Sequence, residues 1–112
     1  MLTTVFIKRH MQAGAEKEFF ALIKKLRSNA MGHDGYISGE TLVSTDDPHE
    51  LQVISRWQSR EDWAGWKESA ERKSIDTSLE KLQTKPTEYK SYVFNKFRLS
   101  VQSGFPKTEG KS

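Results

Sequence analysis

Apolar residues along the chain follow two different periods, and the alternation between them predicts the order of the secondary structure. Short runs rich in β-branched and aromatic residues predict strands at 3–8, 36–43, 51–57 and 87–99. An apolar stripe with the i, i+3, i+4, i+7 spacing of one helix face predicts a helix at 15–27. Weaker helical spacing predicts two more helices, at 60–69 and 70–82. The predicted order is therefore β-α-β-β-α-α-β.

The segments between these elements carry strong turn and loop signals. Asn29 to Gly35, with two glycines, predicts a loop after the first helix. The run 45–50 (Thr-Asp-Asp-Pro-His-Glu) predicts a turn that joins the second and third strands as a hairpin. Gly39, inside the second strand, suggests a β-bulge or the close approach of another group.

This order of elements is the split βαβ, or ferredoxin-like, arrangement of an α+β protein. It predicts a four-stranded antiparallel sheet with the helices on one face. The other face also needs a cover, and a second copy of so short a chain is the simplest one, so we expect a homodimer. We expect one domain at residues 1–100 and a flexible tail at 101–112, where breakers and charged residues are frequent.

All three tryptophans lie between positions 57 and 66. Trp57 ends the third strand, and Ser59 is a suitable N-cap for the helix that follows. Trp63 and Trp66 are three residues apart and therefore share a helix face. This aromatic surface could form either a hydrophobic core or a ligand cavity.

Composition narrows the function classes. The chain has 18 basic and 15 acidic residues, a net charge of +3, and the two signs are interleaved. No basic stripe typical of a nucleic-acid-binding protein is present. No apolar run approaches the roughly 20 residues that span a bilayer, and the first apolar run is too short for a signal peptide. With no cysteine in the sequence, a cytoplasmic protein is the expectation.

Few specialised chemistries are supported by motifs. The three histidines are scattered without metal-ligand spacing, so no metal site is predicted. Glycine-rich phosphate or dinucleotide loops and a serine nucleophile elbow are also missing from the sequence. We therefore expect no bound cofactor.

Several residues together resemble one family. They are Gly35-Tyr36 at the start of the second strand, 53–57 (Val-Ile-Ser-Arg-Trp) as the third strand, and 59–63 (Ser-Arg-Glu-Asp-Trp) followed by Trp66. This pattern resembles the antibiotic biosynthesis monooxygenase domain of the dimeric α+β barrel superfamily. The resemblance covers about residues 2–98.

The resemblance implies a homodimer whose sheets pack face to face, with a cavity between sheet and helices in each subunit. Members include cofactor-independent monooxygenases of polycyclic phenols, haem-degrading enzymes and proteins that handle quinones. It thus implies an oxidoreductase that uses dioxygen on an aromatic phenol or quinol-like substrate. A non-enzymatic ligand-binding or stress-response module on the same fold is the alternative, and a domain that only dimerises is a third.

The resemblance also suggests site residues, with Trp66 as the residue that faces the cavity. The candidate catalytic residues are Trp66, Asn29 and His33, and the candidate substrate-binding residues are Trp57, Trp63, Tyr36, Arg56 and Asn95. For each tryptophan, ordinary core packing is the competing interpretation. For each histidine, the competing interpretation is an unpaired surface residue.

Haem degradation is not expected. In the haem-degrading branch an axial histidine follows the equivalent of Trp66 by about ten residues, where this chain has Asp76. That branch also has an asparagine on the first strand, near Ile7 here. A carboxylate is a poor substitute for imidazole as a haem ligand.

Overall fold

A computed structural model describes residues 1–94 and contains seven elements of secondary structure. Their bounds are β1 Thr3–His10, α1 Glu16–Ala30, β2 Tyr36–Val43, β3 Glu50–Trp57, α2 Arg60–Lys67, α3 Ala70–Glu80 and β4 Glu88–Val93. The order predicted from the sequence is confirmed. The predicted extension of the fourth strand to residue 99, the domain limit at 100 and the tail at 101–112 lie outside the described residues.

The four strands form one antiparallel sheet in the order β2-β3-β1-β4. β1 is central, with Thr3 opposite Trp57 of β3 and opposite Val93 of β4. This topology confirms the ferredoxin-like α+β fold with an antiparallel four-stranded sheet.

Alternation along the strands directs one set of side chains toward the helices. On β1, Thr3, Val5, Ile7 and Arg9 are all buried, and the residues between them are more exposed until His10. The buried apolar residues form two clusters, one at each end of the helical layer. The first contains Val5, Ile7, Ala30 and the three tryptophans, and the second contains Met11, Phe19, Ile23, Leu51, Ile75 and Leu79.

Helix α1 is three residues longer at its C-terminus than its apolar stripe predicts. Asn29 therefore lies in the last helical turn, and the expectation of a loop from residue 29 is wrong by two residues. Helices α2 and α3 are separated at Glu68–Ser69, and the Ser69 hydroxyl accepts a hydrogen bond from the backbone N–H of Arg72 at 3.2 Å. Ser69 is thus the N-cap of α3, which begins shortly after α2 ends.

Of the two features suggested for Gly39, the close approach occurs at that residue, and an irregularity of the strand pairing lies nearby. A register shift lies between Tyr36 and Ser38, two residues from Gly39. A Cβ atom at Gly39 would lie 2.7 Å from the Tyr36 hydroxyl, so the close approach is at Gly39 itself. The glycine leaves room for the Tyr36 hydroxyl, which reaches along β2 to this position.

Candidate functional site

The three tryptophans pack against one another at the junction of β3 and α2. The Trp57 ring centroid lies 5.9 Å from that of Trp63 and 6.5 Å from that of Trp66, and the Tyr36 ring stands edge-on to Trp57 at 5.4 Å. Trp57 is only 1% exposed. Its Nε1–H donates to the Ser55 hydroxyl at 3.1 Å, since residues two apart lie on the same face of a strand. The buried indole therefore has its polar group satisfied.

A local cap fixes the direction in which α2 leaves the sheet. Ser59 has extended backbone angles, and its hydroxyl accepts from the Asp62 backbone N–H at 3.0 Å. The same hydroxyl donates to the Asp62 carboxylate, also at 3.0 Å. The helix thus begins at Arg60, which places both Trp63 and Trp66 on its buried face.

Beside the tryptophans lies a cavity of about 50 Å³, which we call the tryptophan cavity. Its walls come from β1, β2, β3 and all three helices; they include Ile7, Tyr36, Ser55, Trp57, Trp63, Trp66 and Arg72. Arg27 and Glu40 also line it and are exposed, so they mark the side on which it meets solvent. A dry cavity that binds benzene has about 150 Å³. In this conformation the cavity has room for a few water molecules at most, and its walls must move apart to admit an aromatic ring.

One charged group is buried in the wall of this cavity. Arg72 is 2% exposed, and its Nη2 donates to the Tyr89 hydroxyl at 2.8 Å. Its guanidinium carbon lies 5.6 Å from the Trp63 ring centroid and 5.4 Å from that of Tyr89, within the range of cation–π attraction. Within residues 1–94 no carboxylate forms an ion pair with Arg72, and its Nε has no hydrogen-bond partner.

Glu68, four residues before Arg72, is held by another cation. Its carboxylate lies 2.7 Å from the Lys73 ammonium at the surface. The hydrogen bond and the charge of Lys73 lower the pKa of Glu68. This carboxylate is therefore ionised at neutral pH and belongs to an exposed pair.

Four of the predicted site residues meet at the tryptophan cavity. Trp57, Trp63, Trp66 and Tyr36 all line it. They also belong to, or pack against, one of the two hydrophobic clusters. The alternatives of core and cavity wall are therefore not exclusive here, because each ring has one side in the core and contributes to the wall.

The other predicted residues lie elsewhere. Asn29 is half-buried in the last turn of α1 and is not among the lining residues. His33 does not line the cavity either, but its ring centroid lies 5.3 Å from that of Trp66. Arg56 is exposed and pairs with Glu40 at 3.2 Å. Asn95 lies outside the described residues.

Arg72 was not predicted as a site residue. A signal for its burial was present, because positions 72, 75 and 79 fall on one face of α3, and Ile75 and Leu79 are buried. A charged residue at the start of an otherwise apolar stripe is the pattern that could have identified it.

Asp76 and Ile7, the two positions that argue against haem binding, do not form a haem-binding pair in the structure. Asp76 Oδ1 lies 2.8 Å from Nη2 of Arg9, whose side chain is 1% exposed, and Asp76 does not line the tryptophan cavity. Ile7 lines the cavity with an apolar side chain. Neither position supplies a ligand for haem iron.

Residues 1–94 contain neither a metal-binding cluster of side chains nor a membrane-spanning helix. No group of three histidine, aspartate or glutamate side chains in this range could hold a metal ion. No helix in the same range has the length and apolarity to cross a membrane.

Comparisons with known proteins identify relatives of this fold. A family model described as antibiotic biosynthesis monooxygenase matches residues 3–76, which is more than half of the chain. No curated protein matches the chain.

Solved structures show the same architecture at low sequence identity. A conserved protein from Methanosarcina mazei Go1 is 21% identical, and the match covers 85% of this chain and 94% of that one with a TM-score of 0.80. Rv0793 from Mycobacterium tuberculosis is 19% identical, with coverages of 85% and 96% and a TM-score of 0.77. SnoaB, a cofactor-independent oxygenase from Streptomyces nogalater, is 17% identical, with coverages of 86% and 96% and a TM-score of 0.73. At these identities the likeness shows the fold.

Proposed function

Because this chain belongs to the antibiotic biosynthesis monooxygenase family, we propose that it is a small oxygenase that acts on an aromatic phenol or quinol-like substrate with dioxygen and no bound cofactor. The observation that carries this proposal is the tryptophan cavity, where three indoles and Tyr36 line one space. SnoaB, a cofactor-independent oxygenase, shares the fold and adds support.

In such a reaction the substrate is its own reductant. For a phenol of the anthrone type, the ring CH₂ becomes a carbonyl group, one oxygen atom enters the product, and the other leaves as water. The substrate loses four electrons and dioxygen gains four. The protein has to bind the ring, stabilise its ionised form and exclude bulk water.

The residues of the cavity suit the first and third of these tasks. Flat aromatic walls offer stacking surfaces to a ring. The buried tryptophans Trp57 and Trp66, at 1% and 3% exposure, separate the space from solvent on the sheet side and on the α2 side. The small volume means that binding widens the cavity, and the solvent-exposed residues at its open side are those that can move with least loss of packing.

A non-enzymatic ligand-binding module is the second candidate. It is favoured by one observation: neither Asn29 nor His33 lines the cavity, so the two polar groups expected to take part in chemistry are not in its wall. A protein with this function would bind an aromatic ligand without consuming dioxygen.

Oxygen uptake tests the proposal directly. The protein is screened with hydroquinones and anthrone-like phenols, and dioxygen consumption above the spontaneous rate is expected for at least one. Trp66→Ala should lower kcat/KM by at least about tenfold, because it removes a wall of the cavity. Phe20→Ala, at an exposed aromatic residue of α1, is the matched control and should keep full activity. Equal activity in Trp66→Ala would refute the assignment of the site.

We also propose that the protein is a homodimer joined through the sheet face opposite the helices. On that face Phe6 and Tyr92 pair edge-on at 5.5 Å, and Tyr92 and Leu42 are 56% and 46% exposed. Sedimentation equilibrium should show a dimer at micromolar concentration. Tyr92→Lys should weaken it, whereas Phe20→Lys on the helical side should not. A stable wild-type monomer would refute this proposal.

A further inference from the structure

The described part of the chain contains two buried arginines. In both, the Nε atom is buried without a hydrogen-bond partner among the described residues, but the rest of each guanidinium has different surroundings. Arg9 is 0% exposed and has a carboxylate partner, Asp76, at 2.8 Å. It also donates from Nη1 to Gln83 at 2.9 Å and to Thr87 at 3.2 Å. Arg72 is 2% exposed, and within residues 1–94 its hydrogen bonds from the guanidinium go to one neutral group, the Tyr89 hydroxyl.

A buried guanidinium without an anion is an unusual arrangement. It stays charged at physiological pH and has five N–H donors. Removing such a cation from water is costly unless an opposite charge and further hydrogen bonds compensate for the loss. The aromatic faces of Trp63 and Tyr89 give part of this compensation, but the Nε–H donor is buried without an acceptor among the described residues.

The position of Arg72 shows where an anion could come from. Arg72 is one wall of the tryptophan cavity, and the remaining walls are largely aromatic and aliphatic. A planar cation beside flat aromatic surfaces matches a ligand that is a ring bearing a negatively charged oxygen. A neutral ring would add no opposite charge to the partial compensation that the aromatic faces of Trp63 and Tyr89 give.

We propose that Arg72 binds the anionic oxygen of the aromatic ligand, which makes ionised phenols or aromatic carboxylates the ligand class of the tryptophan cavity. This inference rests on the proposed function, because it names the ionisation state of the ring that enters the site. For an oxygenase substrate, the bound form is then the phenolate, which is also the form that gives up electrons to dioxygen most readily.

A matched pair of small ligands tests the charge alone. Benzoate and benzamide have nearly the same size and shape, and only benzoate is an anion at pH 7. Binding is followed by tryptophan fluorescence, since all three indoles of the chain line the cavity. Wild-type protein should bind benzoate about 10- to 100-fold more tightly than benzamide, the range for a charge-assisted hydrogen bond.

Three variants locate the preference. Arg72→Met keeps the length of the side chain without the charge, and the ratio of the two affinities should fall to about one. Arg72→Lys should retain part of the preference. Arg60→Met removes an exposed guanidinium from α2 and should leave the ratio unchanged. Equal affinities in the wild type, binding of neither ligand, or a full preference in Arg72→Met would each overturn the proposal.

Phenol then separates the two sources of the anion. If the site takes phenolates, the affinity of the wild type for phenol rises with pH as phenol ionises, and Arg72→Met loses this rise. If it takes carboxylates alone, the affinity for phenol stays flat while the preference for benzoate persists. A preference for benzoate without any oxygen uptake would refute the oxygenase and keep the anion site, so the two proposals fail independently.

Discussion

Gly35 is the position at which a single methyl group should disturb the site most. It precedes β2 with φ +81°, in the left-handed region that residues with a side chain avoid. A Cβ atom there would lie 2.2 Å from both Cγ and Oδ2 of Asp62 and 2.5 Å from its Cβ. Asp62 is the residue whose backbone and side chain close the cap on Ser59. Gly35→Ala therefore strains the backbone and pushes against the start of α2.

The size of the effect follows from two contributions. The left-handed conformation costs an alanine about 1–2 kcal/mol. The overlap with Asp62 involves its Cβ as well as its carboxylate, so the side chain cannot simply rotate away, and overpacking of this kind costs about 1–3 kcal/mol. Together they predict a loss of about 3 kcal/mol in the free energy of unfolding. For a domain of this size that corresponds to a fall in Tm of about 10–25 °C.

Two other glycines make matched controls. Gly14 has φ +90° but nothing within 4 Å of a built Cβ, so Gly14→Ala has the backbone cost without the overlap. Gly32 has neither feature, and the nearest atom would be the Asn29 carbonyl oxygen at 3.8 Å. All three substitutions restrict the unfolded chain in the same way, so this effect cancels in the comparison.

Urea unfolding followed by tryptophan fluorescence measures the series. The expected order of stability is Gly32→Ala, then Gly14→Ala, then Gly35→Ala, with a gap of at least about 1 kcal/mol between the last two. If Gly35→Ala is no less stable than Gly14→Ala, the contact with Asp62 does not resist the added methyl group, and the reasoning is refuted.

Three further substitutions address the caps and the charged groups. Asp76→Ala should cost about 3 kcal/mol, because it leaves the buried Arg9 cation without its carboxylate, and a loss under 1 kcal/mol in urea unfolding would contradict this. Ser59→Ala should cost about 1 kcal/mol by removing the N-cap of α2, and thermal unfolding should show it; an unchanged Tm would argue against the cap. Glu16 has a pKa lowered from 4.5 by its own backbone N–H and by His49. The contribution of Glu16 to stability is present above pH 4.5 and is lost as the pH falls through its lower pKa in the folded state. Glu16→Gln should therefore flatten the pH dependence of the urea midpoint in that window, and an unchanged slope would contradict this.

Most of the fold could be predicted because its elements carry their signals locally. The apolar stripe of α1 and the alternation along the strands both depend on residues that are close together in the sequence. The predicted C-terminal end of α1 was wrong because the sequence signal for the end of a helix is weak there. Asn29 and Ala30 continue α1 because the helix has no strong stop before Gly32. The two glycines at 32 and 35 predicted the loop but did not fix the residue at which it begins.

The candidate site could be predicted only in its aromatic part. Trp57, Trp63 and Trp66 are close in sequence, so their meeting follows from one strand and one helix. Arg72 contacts the tryptophan cavity only because α3 packs beside it, and no local sequence pattern predicts that packing. The same is true of Arg9, whose burial follows from the alternation on β1 but whose partner Asp76 lies 67 positions away in the chain.

The central place of β1 has a consequence for the order in which the protein can be assembled during translation. β1 is synthesised before both of its neighbours in the sheet: it pairs with β3 on one edge and, on the other, with β4, which lies near the end of the described chain. Thr3 and Val93 are partners across about 90 positions, a stretch that a ribosome takes on the order of 5–20 s to make. Until then β1 has an edge with free N–H and C=O groups, open to pairing with other nascent chains. The period of greatest aggregation risk for this protein is therefore set by its topology, and slowing translation after residue 57 should lengthen it.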